Sequence, residues 1–452
     1  MNIRLWPSER ILAIFLLALA FRGGLFFQIL NHPEVVLQPD SRMYVSLAKG
    51  LAENGSLSYP ERPGRLSADR TPGYPFFLAL CLSVAGGSLL AVALTQVFID
   101  SLTCVLIYFF AERLWQGAGF LSGILASLNL GMITYSHFIL NDSLFLFVFT
   151  LFLVGLVRWL REPSWKGSAL LGVVLGAATM IRPVITYLPL MLIPLLTGAL
   201  MFKHHEGFLP AAGKALLIGI MFVLCLAPWM MRNHLHYGRW NLTAQAGEHL
   251  LQYIVPFTRQ YSRGVPFIEG MKQTSEAFKE KAAKANLDLN QASPFEVSDF
   301  QVQMAMDCLR EEPKAAIAKA WFSGMIKNLF APSIIDFSYL LEIDRPHFFY
   351  TEGTTTLERA WNFVRGMKGW FGWAVMGSMV LLCLSRIVQV RGVIRLFRRK
   401  SWESLFMVLI IGYFLVVSGP VGYAKYRLPF EPILIIFLAV GLRDLYGRWM
   451  KR

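Results

Sequence analysis

The sequence predicts an all-α polytopic membrane protein: about ten transmembrane helices, interfacial helices in the first outer loop, and a small, mainly helical outer cap. Composition and pattern lead there together. Of 452 residues, 55% are hydrophobic and 16% charged, and the mean hydropathy is +0.48, a balance that a single soluble globular domain does not show. The apolar residues fall in windows long enough to cross about 30 Å of hydrocarbon. The formal charge of +14 comes from basic residues clustered in short loops between those windows, not interleaved with aromatics on a polar face. That is the pattern of membrane topology, and it argues against a nucleic-acid partner.

Taken in order, the first window, 11–30, is followed by Asn31-His32-Pro33-Glu34 rather than by a small-residue cleavage site, so it reads as a retained signal anchor. The apolar stretch 73–86 is about 14 residues long, which suits a re-entrant or interfacial helix better than a crossing. Crossing windows follow near 88–112, 119–139, 143–160, 167–181, 184–202, 214–231, 370–388, 403–418 and 429–446. With 73–86 not crossing, Arg4, Arg10, Arg113, Arg158, Arg161, Lys166, Lys203, Lys214 and the basic runs 386–400 and 443–452 all fall on the cytoplasmic side, and both termini with them. Had it crossed, the dense run 391–400 would lie outside.

The chain then divides into an N-terminal transmembrane module, 1–231, whose first outer loop is 31–87; an extracytoplasmic, mainly helical insertion, 232–369; and C-terminal transmembrane helices, 370–452. Within the insertion, 271–309 is rich in helix formers and broken by 286–294, and 313–329 is amphipathic. The five cysteines lie mostly in apolar segments with no C-x-x-C spacing, which indicates neither a disulfide framework nor a cysteine metal site. The sequence contains no internal repeat and no Gly-rich phosphate loop.

The residues able to carry chemistry collect at the outer ends of the spans. Asp40 follows Pro39 and precedes Met43, Tyr44, Leu47, Ala48 and Leu51 at helical spacing, with Asn54-Gly55 as a stop, so it heads a short amphipathic helix on the bilayer. It is either the N-cap of that helix or a general base, and a carboxylate satisfied by backbone N–H groups is the poorer base. In Arg70-Thr71-Pro72-Gly73, Thr71 can cap and Pro72 suits the first helical position, so a helix start plus an arginine makes an anion site; the alternative is an arginine reaching to lipid headgroups. Asn141-Asp142 places a second carboxylate on the same face, again with an N-cap as the plain alternative. His137 is a weak metal partner for Asp142. Arg182-Pro183 and Lys425-Tyr426-Arg427 also lie at outer ends, where convergence with Arg70 would form a cationic pocket for a phosphate.

At these positions the chain resembles the C-type integral-membrane glycosyltransferases, in the bacterial branch that includes protein O-mannosyltransferases and the lipid A aminoarabinose transferase. The matching pieces are Pro39-Asp40 with Tyr44 and Leu47-Ala48; Arg70-Thr71-Pro72-Gly73-Tyr74-Pro75; Asn141-Asp142; Arg182-Pro183; Pro228-Trp229 with Arg232-Asn233 and Gly238; and Tyr426-Arg427-Leu428-Pro429 with Glu431-Pro432. The resemblance implies a multi-pass protein of the bacterial inner (plasma) membrane whose site faces the periplasm or exterior. It implies a polyprenyl-phosphate sugar donor, with a lipid, glycan or protein acceptor and membrane lipids as the other partners. Because the leaving group is already a stable anion, one base and a set of cations suffice, with inversion at the sugar. In this scheme Asp40 is the base and Asp142 its support; Arg70, Tyr44, Tyr74, Arg182, Lys425 and Arg427 bind substrate. No cofactor is required, while Asp142 with His137 leaves room for a divalent metal. Two other functions fit the same features: a flippase for the lipid-linked sugar, and a ligase or polymerase using polyprenyl diphosphate. A transporter, however, places its polar groups near the midplane, and here Asp100 is the one acid deep in a span.

Overall fold

A computed structural model describes residues 6–60, 66–289, 291–346, 348–351, 356–367 and 369–449. The N-terminal half runs α1 (Pro7–Ile29), α2 (Pro39–Asn54), α3 (Gly73–Val84), α4 (Leu89–Leu114), α5 (Gly119–Ser127), α6 (Leu130–His137), α7 (Asp142–Trp159), α8 (Trp165–Ile181), α9 (Leu188–His204) and α10 (Phe208–Tyr237). The insertion holds α11 (Gln245–His249), a π-helical turn (Leu250–Ile254), α12 (Val255–Ser262), α13 (Phe267–Lys284), α14 (Pro294–Glu311), α15 (Lys314–Phe330), α16 (Ile334–Leu340) and α17 (Thr356–Arg365). The chain returns through α18 (Trp370–Phe397), α19 (Ser401–Val417), a 3-10 stretch (Ala424–Phe430) and α20 (Glu431–Trp449). Among the described residues the only β pairing is an isolated bridge between Ser58 and Leu66.

Every apolar window of the sequence is helical, and the all-α class stands. The number of crossings is less sharply defined than ten. Five helices, α1, α4, α7, α10 and α18, are long and apolar enough to span by themselves. The window 119–139 is broken, with α5 and α6 meeting at 52°, and α8, α9 and α19 have only 17 residues each, the lower limit for a span. The 12-residue α3 rises only about 18 Å and is too short to cross. The basic run 391–400 is not a loop: α18 continues through it to Phe397, and Arg391 and Arg395 both pair with Asp444 on α20. Arg4 and the last residues of the run 443–452 lie outside the described residues.

Contacts fix the sense of the first helices. Along α1, Ser127 Oγ donates to Ile14 O (3.3 Å), Arg22 Nη1 to Ser127 O (3.1 Å), and His137 Nε2 lies 3.0 Å from Arg22 O. Beyond the helix, Ile139 N donates to Val36 O at 2.9 Å. The α5–α6 pair therefore runs beside α1 in the same direction. Among the described residues between Trp6 and Gly117, α1 and α4 alone are long and apolar enough to cross, and α3 lies with the candidate residues.

Local rules explain how α2 and α3 sit there. Helix α2 starts after Gln38, whose N–H donates to Ser41 Oγ at 2.9 Å, and ends at Gly55 with φ of +63°, the left-handed geometry that glycine adopts without cost. Its face of Ser41, Tyr44, Leu47, Ala48 and Gly50 is buried. Gly50 is required because a Cβ there would overlap the carbonyl of Ser58. A Cβ on Gly73 would come to 2.6 Å from Met180 O, so glycine lets the start of α3 lie directly on the end of α8.

Candidate functional site

The structure brings two carboxylate–guanidinium pairs to one end of the bundle. In the first, Arg70 Nη2 lies 3.3 Å from Asp40 Oδ1. Asp40 is the second residue of α2 and makes no cap bond, so the N-cap role expected as its alternative is not filled; its side chain is 50% exposed while that of Arg70 is 13% exposed. The guanidinium is held by donation to Asp69 O (3.1 Å) and by the face of Tyr44, whose ring centroid is 5.7 Å away. From the insertion, the Gln245 carboxamide oxygen accepts from Arg70 when turned toward it. Burial works to lower the Arg70 pKa, but Tyr44, Asp40, Asp69 and Tyr59 around it outweigh that and raise it. The helix start proposed beside Arg70 shifts: α3 begins at Gly73 with Pro72 as cap residue, and Thr71 is buried without capping.

In the second pair Asp142, the first residue of α7, is buried and contacts Arg182 at the end of α8. Lys425 Nζ lies 3.4 Å from its Oδ2. That oxygen has no aligned hydrogen bond, so the ammonium is held by charge alone and keeps its N–H groups directed elsewhere. Asn141 leaves the cap position uncapped and donates to Ile181 O at 2.9 Å, tying α7 to α8.

Tyr44 joins the two pairs: Arg70, Asp40, Asp142 and Arg182 all act on its hydroxyl, and burial pushes its pKa up to about 12. Tyr74 stands behind it, ring edge to face at 4.9 Å, fully buried and donating to Gln96 at 2.8 Å. Its hydroxyl is taken up by Gln96 and its ring lies against that of Tyr44. Two residues that sequence reasoning did not single out complete the cluster. Tyr426, within a quoted motif, is surrounded by Arg182, Asp40 and Asp142. Tyr253, on the π-helical turn, interacts with Tyr426, Glu248, Asp40 and Arg70; an isolated tyrosine in a polar insertion carries no sequence signal.

Two expected members are elsewhere. Arg427 is buried and fully engaged, donating to Glu431 (2.8 Å), Ala331 O (2.9 Å) and Ser333 Oγ (3.0 Å), so it fastens the 424–430 stretch to the insertion and is withdrawn from the cationic set. His137 has Nδ1 2.8 Å from Ile133 O and Nε2 3.0 Å from Arg22 O. Its nitrogens face backbone carbonyls, and the pairing with Asp142 as metal ligands is not formed. Among the described residues the one grouping of three ligand-type side chains is His32, Glu34 and Glu342, all exposed.

Of two cavities, one is lined in part by members of this cluster and the other by Asp69, the neighbour of Arg70. One, about 340 Å³, is lined mostly by apolar groups of α12, α15, α16 and α17 and by Val375 and Met379 of α18, with Lys327, Asp336, Arg345, Lys425 and Tyr426 also in its wall. The other, about 430 Å³, lies between the first outer loop and the insertion and includes Asp69 and Glu248. Three cations, Arg70, Arg182 and Lys425, face two carboxylates, so the site has one positive charge in excess. An arrangement of this kind binds an anionic group at the junction of an apolar and a polar space.

The fold is shared with solved structures of an archaeal oligosaccharyltransferase. Residues 69–231 match the family described as dolichyl-phosphate-mannose-protein mannosyltransferase. Among curated proteins none matches the chain. Among solved structures, the archaeal oligosaccharyltransferase AglB from Archaeoglobus fulgidus, in complex with an inhibitory peptide and a dolichol-phosphate, is similar over 97% of this chain and 50% of its own, at 10% identity and a TM-score of 0.53. A second structure of the Archaeoglobus fulgidus oligosaccharyltransferase, tethered with an acceptor peptide, matches over the same shares at 10% identity and a TM-score of 0.51. ArnT from Cupriavidus metallidurans, bound to undecaprenyl phosphate, aligns over 97% of this chain and 79% of its own at 11% identity, with a TM-score of 0.40. The chain thus spans about half the length of the oligosaccharyltransferase whose fold it shares.

Proposed function

We propose that the protein is a membrane glycosyltransferase that moves a sugar from a polyprenyl-phosphate donor to an acceptor hydroxyl on the extracytoplasmic face of a bacterial inner membrane. The observation that carries this reading is the mainly apolar cavity with Lys425 and Tyr426 in its wall, Lys425 lying 3.4 Å from the Asp142 carboxylate that also holds Arg182. A polyprenyl tail fits the apolar part, which reaches α18, and its phosphate then meets the cations. In this reading 1–231 is the catalytic module, 232–369 covers it, and 370–452 completes the membrane domain. The lipid-phosphate ligands of AglB and ArnT are of the same chemical class.

Transfer proceeds with one base. The half-exposed Asp40 carboxylate takes the proton of the acceptor hydroxyl as its oxygen attacks the anomeric carbon. The bond from that carbon to the phosphate oxygen breaks with its electron pair leaving on the polyprenyl phosphate. Attack opposite the departing phosphate inverts the centre. Lys425 and Arg182 stabilise the charge that grows on the leaving oxygen, and Arg70 both holds Asp40 and adds to the field. A phosphate leaving group needs no general acid, which accounts for Asp142 being neutralised by cations.

The test uses the full-length protein in nanodiscs with a radiolabelled polyprenyl-phosphate sugar and envelope acceptor extract. Asp40→Asn is expected to retain donor binding while losing about 10²- to 10⁴-fold in transfer rate. Movement of the labelled lipid between leaflets of a vesicle, with no sugar transfer to any acceptor, would replace this function by that of a flippase.

A further inference from the structure

We infer that the polar cavity between the first outer loop and the insertion is the acceptor site and that its ligand is a neutral, hydroxyl-rich saccharide, a step that rests on the proposed transferase function. The cavity of about 430 Å³ lies in the size range of small-ligand clefts and shares no lining residue with the apolar one. Three links tie it to the cluster. Asp69, in its wall, is the residue before Arg70, and its carbonyl accepts from the Arg70 guanidinium at 3.1 Å. Gln252, also in the wall, is the residue before Tyr253. Tyr253 lines the apolar cavity. The π-helical turn Leu250–Ile254 is thus a partition, with the apolar space and Lys425 on one side and the polar space on the other. Arg70 adjoins the polar side through Asp69 and holds Asp40 at 3.3 Å. Single π-helical turns cost hydrogen-bond geometry and recur at functional sites.

The lining chemistry selects the ligand class. Asp69, Glu248, Gln252 and Gln301 offer carboxylate and carboxamide groups that exchange paired hydrogen bonds with vicinal hydroxyls. Tyr59, fixed by donation to Asp69 at 3.0 Å, gives a ring face on which the C–H side of a sugar can rest. Two carboxylates against Lys279 disfavour a phosphate or uronate, which would meet like charge. A lipid anchor would leave these polar groups desolvated and unpaired. An extended peptide would look for a sheet edge, and the described residues hold only the isolated Ser58–Leu66 bridge. A saccharide hydroxyl at the partition is then placed to give its proton to Asp40 as its oxygen bonds to the donor sugar.

The experiment measures two ligands on the full-length protein in nanodiscs. Undecaprenyl phosphate reports the donor side; mannotriose and chitotriose, a threonine-containing peptide and lipopolysaccharide-bearing vesicles report the acceptor side by saturation-transfer NMR. The expected result is saturable binding of a trisaccharide in the millimolar range or tighter, weakened at least about tenfold by Gln252→Ala or Glu248→Ala and less by Glu248→Gln. Undecaprenyl phosphate binding, which also reports that each variant is folded, stays unchanged. If undecaprenyl phosphate binds while no trisaccharide saturates, or only the peptide or the vesicles do, the acceptor inference is overturned and the transferase reading stands. If undecaprenyl phosphate itself fails to bind, the transferase reading falls, and this inference with it.

Discussion

Three aspartates outside the spans show how one side chain acquires different chemistry from its surroundings. Asp40 and Asp142 both stand in the first turn of a helix after an extended or turn residue, and the sequence places both equally well as caps. Asp40 ends half exposed beside a single arginine, whereas Asp142 ends buried between Arg182 and Lys425. The difference comes from residues far along the chain, Lys425 above all, which no local pattern around Asp142 contains. Asp336 is the third case. Buried in α16, it accepts from Tyr135 at 2.9 Å and from Tyr423, with Arg345 and Arg427 also acting on it. Burial pushes its pKa up to about 6, against the lowering effect of those partners. The folded protein therefore holds this proton at a pH where the unfolded chain has lost it. The stabilisation is complete below the unfolded value near 4 and is lost as pH rises through about 6. A shift of this size corresponds to roughly 3 kcal/mol. Thermal unfolding in detergent should show stability falling over that window in the native protein, and Asp336→Asn should flatten it; an unchanged slope would mean that Asp336 does not carry the effect.

At the scale of helices, the largest surprise lies inside the bilayer. Asp100, the acid that looked isolated in its span, pairs with Arg22 of α1 at 2.7 Å, both side chains being buried. Arg22 also donates to Ala18 O, Ser127 O and Cys104 Sγ, so one guanidinium clamps α1, α4 and α5. A transport pathway would keep such groups open to water or substrate, while this pair is closed on itself. Removing one partner leaves an unpaired buried charge, and removing both leaves an apolar joint. Arg22→Met is therefore expected to cost about 3–5 kcal/mol, and Arg22→Met combined with Asp100→Leu to recover most of it. Melting temperatures of the three proteins in one detergent decide the matter, since a double variant as unstable as the single one would assign the pair a role beyond clamping. Element existence was legible where apolar windows, the Asn54-Gly55 stop and the 286–294 break give local signals, and not for α11, α12, α16 and α17, whose short stretches carry none. Ends were less so. Helix α10 runs from Phe208 to Tyr237 and α18 to Phe397, beyond their apolar windows, since hydrogen bonding continues a helix where hydropathy no longer marks it. Arg427 was misplaced because an arginine at a span end looks alike whether it meets a ligand, a carboxylate or backbone carbonyls; Arg22, within the window 11–30, was missed because its partner Asp100 lies 78 residues away.

For the whole molecule, the contacts divide the charged residues between two ends. At one end Arg399 lies over the Trp115 ring at 4.5 Å, Arg391 and Arg395 hold Asp444, and Lys203 reaches Glu403 at 2.9 Å and Leu160 O at 2.8 Å. The segments after α4, α7, α9 and α18 and the far part of α20 therefore gather together, and the direction of α1 relative to α5–α6 adds the N-terminal end of α1. At the other end are Asp40, Arg70, Asp142, Arg182, Lys425 and the insertion. In the proposed function the positive-inside bias makes the first end cytoplasmic and the site extracytoplasmic, where lipid-linked sugars are presented. Single cysteines in a cysteine-free background test this on intact cells with a membrane-impermeant maleimide. Glu53→Cys and Lys284→Cys should label from outside, and Gln116→Cys and Arg398→Cys only after lysis. The four sites lie on exposed positions away from the charged cluster, so labelling reports side rather than burial. The reverse pattern would put the cluster in the cytoplasm, where nucleotide-linked donors are found, and would remove the topological reason for a polyprenyl carrier. Labelling of Glu53→Cys and Gln116→Cys from the same side would instead require α3 to cross, against its length and against the parallel course of α1 and α5–α6.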